Sequence, residues 1–292
     1  LTCIDEQDCP DNIAKLVIID RQKISFCTGT LIGTDTILTS SSCLPRSFRV
    51  SNLNCEKNIF AIFPKTYSRP VQRIGCSKII SSDSNEPSDP ALLKSDFAFI
   101  KLKGKVSRPT SFVSRRGLNQ NSYYNTMKIN YVDDYMGEIV KKKCNPLFNS
   151  FANPFTVSKY SPIITVSDCG FVAGNDGAPL FNSKGFIVGL FSSRMDKKVG
   201  AFILNRNILS EPMADIHHVA NTTCIRFPLS SYEIKRNKEC SKDINISLLD
   251  KLRRKILVNS KVHLKNMLKI KAEIETPVKY FKWKVKFFGN SS

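Results

Sequence analysis

Up to about residue 222, short apolar or alternating runs are separated by Gly, Pro, Asn and Asp. They read "AKLVIID", "GTLIGTDTILTS", "DFAFIKLK", "TMKINYV", "SPIITV", "GFIVGLF" and "VGAFIL". Alternation with period two, broken often by turn formers, predicts many short strands and an all-β sandwich or barrel pair. A single helix is expected at the end of this region, over "SEPMADIHHVA", on whose amphipathic surface His217 and His218 would sit. Beyond Cys224 the pattern changes. In "SLLDKLRRKILV", Leu248, Leu249, Leu252, Ile256 and Leu257 share one helical face. Two alternating runs, "LKIKAEIE" and "FKWKVKF", follow on either side of Thr276 and Pro277, which predicts a hairpin.

Composition narrows the class. The 292 residues are 41% hydrophobic and 24% charged, an ordinary globular balance. No apolar run approaches the roughly 18 residues of a membrane span. Ten cysteines with no tight CxxC pair point to disulfides rather than zinc, and so to an oxidising compartment, extracellular or periplasmic. The start at Leu1, without Met or an apolar leader, leads us to expect a mature, secreted product. Asn-x-Ser/Thr sites at Asn221, Asn245 and Asn290 do not settle the source.

Charge is uneven. Of a formal net charge of +19, the segment from Ile225 to Ser292 carries 17 Lys and Arg against 6 Asp and Glu. Over half the excess therefore lies in the last quarter of the chain.

Three separated stretches carry a resemblance. "FCTGTLIGTDTILTSSSCL", "DFAFIKL" and "GNDGAPLF" occur in the order base strand, acid strand, nucleophile turn. They resemble, in that order, the CxGTLI…LTAAHC, DIALLKL and GDSGGPL segments of the chymotrypsin/trypsin family of serine proteases. The resemblance implies two antiparallel six-stranded β-barrels with a cleft between them. It divides the chain into an N-terminal segment (1–11), a first barrel (12–105), a linker (106–118), a second barrel with its terminal helix (119–223) and a basic extension (224–292).

The same comparison implies site positions. Ser42 stands where the family holds its base histidine, Asp96 keeps the aspartate, and Asp176 replaces the nucleophilic serine. Gly174 and Asp176 fall at the positions whose N–H groups form the family's oxyanion hole. Asn175 takes the place where many members carry an aspartate that pairs with a newly cleaved N-terminus, and no IVGG-like start is present. Cys27 and Cys43 occupy the sites of a common family disulfide. Cys144 and Cys169, flanking the approach to the nucleophile turn, form a second candidate pair. The remaining six cysteines allow 15 connectivities, among which Cys224–Cys240 would tie the extension to the barrel.

These substitutions bear directly on chemistry. In the family mechanism, histidine takes the serine proton and returns it to the leaving amine while aspartate orients the ring. A serine hydroxyl at position 42 is not basic near neutral pH and offers no second nitrogen to Asp96. The chain holds three histidines, His217, His218 and His263, and the expected surface helix gives the first two no catalytic place. Attack by Asp176 on an amide would make an anhydride from a poor leaving group with no acid to assist. The expectation is a catalytically inactive protease homologue that needs no cofactor and no metal.

For Asp176 three readings stand. It is a neutral replacement in a turn whose N–H groups favour negative charge, or an internal anion that fills the oxyanion hole, or one member of a carboxylate pair with Asp96 that recruits a cation or shares a proton. The alternative function follows from the third: a hydrolase or metal-binding protein using Asp96 and Asp176. Gly174, Gly177 and Pro179 persist around the altered position, implying that the turn geometry is still needed for packing.

The extension offers a second candidate surface. In "FKWKVKF", Lys282, Lys284 and Lys286 alternate with Phe281, Trp283, Val285 and Phe287, and Arg253 and Arg254 lie on the preceding helix. A docked hairpin with lysines guarding its edge accounts for the pattern. A surface for a protein partner or an acidic glycan or lipid head group is the functional reading. Nucleic acid fits least well with secretion.

Overall fold

The structure is a computed structural model that describes residues 11–66, 68–84, 96–114, 124–130, 138–146, 163–194 and 216–225. The chain divides into two units, Leu1–Lys242 and Asp243–Ser292. Both barrels belong to the first. The helix and hairpin expected after Cys224, with Arg253, Arg254, Lys282, Lys284 and Lys286, lie outside the described residues.

Twelve strands form two closed antiparallel barrels of six. The first contains β1 (Ile13–Asp20), β2 (Lys23–Gly33), β3 (Thr36–Thr39), β4 (Ile59–Phe63), β5 (Gln72–Ser84) and β6 (Asp96–Leu102), ordered β1-β2-β3-β6-β5-β4. The second contains β7 (Tyr124–Asn130), β8 (Glu138–Pro146), β9 (Ile163–Ser167), β10 (Pro179–Phe181), β11 (Ile187–Arg194) and β12 (Ile216–Asn221), ordered β10-β11-β12-β9-β8-β7. Closure removes free sheet edges, which suits a chain of short strands joined by turns.

Burial explains where alternation fails. Along β6, Ala98, Ile100 and Leu102 point into the first barrel, while Phe97 and Phe99 enter the cluster between the barrels with Met127, Ile129, Phe181 and Leu190. A strand covered on both faces reads as a continuous apolar run, and "DFAFI" does. Tyr124, Ile164, Val166, Leu180, Val188 and Val219 fill the second barrel.

One expectation is corrected. Residues 216–221 form strand β12, paired with β9 and β11, rather than the second half of a surface helix. His217 and His218 are buried. Both strand faces are covered, with Val219 in the second barrel core and Ala220 between the barrels. The polar histidines therefore imitated the wet side of a helix in the sequence.

Disulfides join Cys27 to Cys43, Cys144 to Cys169 and Cys55 to Cys76. The last closes β4 and its turn onto β5, a pairing that the sequence left among the 15. Cys224 is also in a disulfide, and Cys240 lies outside the described residues.

Candidate functional site

Asp96 opens β6 and is 1% exposed at the cleft between the barrels. Its carboxylate accepts four hydrogen bonds. The Ser42 backbone N–H donates to Oδ1 at 2.8 Å, and the Ser42 hydroxyl donates to Oδ2 at 3.2 Å. The Ser40 hydroxyl donates to Oδ2 through a short contact. The Ser192 hydroxyl donates to the same oxygen at 2.5 Å.

Each donor is placed by local backbone geometry. Ser40 caps the short 3-10 turn Ser41–Cys43, its oxygen facing the Ser42 N–H at 3.3 Å. That turn carries Ser42 back over the start of β6, and its hydroxyl lies 2.5 Å from that of Ser40. Ser192 is delivered differently. On β11, Phe191 pairs with Val219 and Ser193 with His218, leaving Ser192 as the extra residue of a β-bulge. A bulge re-aims one side chain out of the regular alternation, and here it reaches across to the first barrel.

Asp176 is fixed through its backbone. Its carbonyl accepts from the Thr28 N–H at 2.8 Å, joining the nucleophile-position turn to β2 of the opposite barrel. The Thr28 hydroxyl donates to the Gly174 carbonyl at 3.1 Å, and Thr39 donates to the Thr28 carbonyl at 2.7 Å. Gly174 and Gly177 both have positive φ, at 88° and 83°. A β-carbon on Gly177 would stand 2.2 Å from the Thr39 hydroxyl and 2.3 Å from the Thr28 carbonyl, so only glycine allows this approach.

Asn175 holds the other side of the turn. Fully buried, it accepts from the Val172 N–H at 2.9 Å and donates from Nδ2 to the Ile129 carbonyl at 2.8 Å. An amide satisfies a donor and an acceptor at once, which a carboxylate at this position could not do. Behind the turn, Phe171 stacks on Phe191 with centroids 4.2 Å apart, and His217 meets both rings edge-on at 5.1 and 5.3 Å. His218, beside it, has its pKa lowered to about 4, first by burial and then by its neighbour His217.

Two closed six-stranded barrels, the Asp96 corner and the glycine-framed turn of residues 174–177 now stand together across one cleft. The family model described as Trypsin matches residues 10–130. This is the trypsin fold. Among solved structures, the chain is similar to neuropsin, a serine protease expressed in the limbic system of mouse brain. The TM-score is 0.50 at 13% identity, over 74% of this chain and 91% of that one. It is similar also to the Vibrio cholerae protease VesB, with TM-score 0.50 and 15% identity, over 75% of this chain. The match spans 63% of the VesB chain. An inactivated protease paralogue of the scabies mite matches with TM-score 0.49 and 13% identity, over 72% of this chain and 87% of that one. No curated protein matches.

The sequence singled out Ser42, Asp96, Asp176 and Gly174, and the fold brings all four to the barrel junction. It missed Ser40 and Ser192. Ser40 was visible only as one of three consecutive serines, and Ser192 as half of "FSS" in a strand whose bulge leaves no periodic mark. Among the described residues no three His, Cys, Asp or Glu side chains gather as a metal site would require.

Proposed function

We propose that the chain is a secreted trypsin-like pseudoprotease, a two-barrel scaffold without peptide hydrolysis that acts by binding a protein or polyanionic partner. The observation that carries this reading is the set of donors on Asp96. In the protease mechanism that aspartate holds an imidazole. In this chain Oδ2 receives the hydroxyls of Ser40, Ser42 and Ser192, and Oδ1 receives the Ser42 N–H.

A hydroxyl that points its proton at a carboxylate is an anchor and does not act as a base for a nucleophile. The nucleophile position itself is Asp176. Loss of the serine or the histidine alone lowers turnover by about 10⁶ in a well-studied serine protease, and both are replaced here. The disulfides support an oxidising destination.

Incubation with a fluorophosphonate probe and a panel of fluorogenic peptides, with and without Mg²⁺, Mn²⁺ or Zn²⁺, tests the reading. Neither labelling nor turnover above blank is expected. Turnover that disappears in the Asp176→Ala variant would overturn it and favour chemistry by the Asp96 and Asp176 carboxylates.

A further inference from the structure

The outer face of the first barrel departs from the wet, polar exterior that strand alternation normally provides. Inward positions of β1, β2 and β4 are filled by Leu16, Ile18, Cys27, Ile59 and Ala61. The alternate, outward positions are also apolar: Val17 and Ile19 on β1, Ile24 and Phe26 on β2, Phe60 and Ile62 on β4. Register places them side by side, with Val17 opposite both Phe26 and Phe60, and Ile19 opposite Ile24. Ile24 is 62% exposed and Phe26 40%, and the other four are half-buried. A continuous apolar sheet face of this kind marks an interaction site more often than a scatter of single exposed residues does.

Cations frame the face. Exposed Arg73 places its guanidinium 4.5 Å from the centroid of the Phe60 ring, while Lys15, whose ammonium lies 4.2 Å from that of Phe26, is buried and stands outside the accessible rim. Arg21 and Lys23 stand exposed at the hairpin tip, next to half-buried Asp20. Apolar centre, aromatic content and a polar rim with arginine are the anatomy of a protein interface.

We propose that this face of β1, β2 and β4 docks a protein partner that presents apolar side chains flanked by carboxylates. It rests on the binding role proposed above and names the surface and the partner chemistry for it, yet its test needs no assay of turnover. Charge decides between occupants. A second copy would set the same basic rim against itself, in a chain of net charge +19, whereas an acidic rim complements it. A membrane is matched less well, because four of the six apolar residues are half-buried in the sheet, and an interfacial anchor sinks its apolar groups about 5–10 Å below the head groups.

The test uses the full chain and a phage-displayed library of random 16-residue peptides. Selected peptides are expected to combine aromatic or aliphatic residues with Asp and Glu, and to bind at least tenfold more weakly to the doubly substituted Ile24→Ser, Phe26→Ser chain. Weakening by Arg73→Glu or Lys23→Glu, both exposed positions, is expected too, and it keeps the test decisive if the double variant misfolds. Selected peptides that bind all these variants as tightly as the unaltered chain would overturn the proposal. So would a dimer in sedimentation that Phe26→Ser dissolves, or binding to phosphatidylserine vesicles that Phe26→Ser abolishes.

Discussion

The Ser192 hydroxyl donates to the Asp96 carboxylate at 2.5 Å, linking a bulge of the second barrel to the first residue of β6 in the first. The contact lies in the cleft where the family mechanism would work, and here it joins the barrels. With the Thr28 N–H on the Asp176 carbonyl, it ties the two barrels together at Asp96 and Asp176.

Ser192→Ala should therefore lower stability by about 1.5–3 kcal/mol, the usual range for a hydrogen bond to a charged group. Ser183→Ala, in the exposed turn before β11, should change it by less than about 0.5 kcal/mol. Urea unfolding of the two variants beside the unaltered chain measures the difference. Equal stability of all three would show that the Asp96 contact contributes nothing to the junction.

Gly177 and Gly185 separate two costs. Both have positive φ, but a β-carbon at Gly185 meets nothing within 4 Å, whereas at Gly177 it collides with Thr39 and Thr28. Gly185→Ala should cost about 1–2 kcal/mol from backbone conformation alone. Gly177→Ala adds overpacking and should cost at least about 1 kcal/mol more, read as a further drop in thermal midpoint. Matching midpoints would refute the close approach of β2 and β3 to the turn.

Acid stability should depend on His218. Its folded-state pKa is lowered from 6.5 to about 4, so the unfolded chain binds more protons between those values. Stability is full above about pH 6.5 and falls as pH drops toward 4, by about 3 kcal/mol if the whole shift is realised. His218→Gln should flatten that slope, observed as a smaller change in urea midpoint between pH 7 and pH 4.5. An unchanged slope would place the acid sensitivity elsewhere.

What the sequence disclosed depended on local pattern. Alternation and turn residues announced an all-β sandwich or barrel pair, and three ordered motifs implied the two barrels and singled out Ser42, Asp96 and Asp176. Gly177 could be read as geometrically required because the motif persisted around a changed nucleophile, and the Thr39 and Thr28 contacts supply the physical reason. The strand at His217 and His218 was hidden because burial on both faces erases alternation. Ser192 was hidden because a bulge depends on the partner strand's register, which no single strand encodes. The Cys55–Cys76 bond was one of many permitted pairings until β4 and β5 were seen side by side.

The most direct measurement of the central claim is mass spectrometry of a proteome-derived peptide library after a day with micromolar protein. The unaltered chain, Asp176→Ala and Ser42→Ala are compared with a heat-denatured control. Four indistinguishable cleavage profiles are predicted. Cleavage sites produced by the unaltered chain and lost in either variant would contradict the proposal that this two-barrel scaffold does not break peptide bonds.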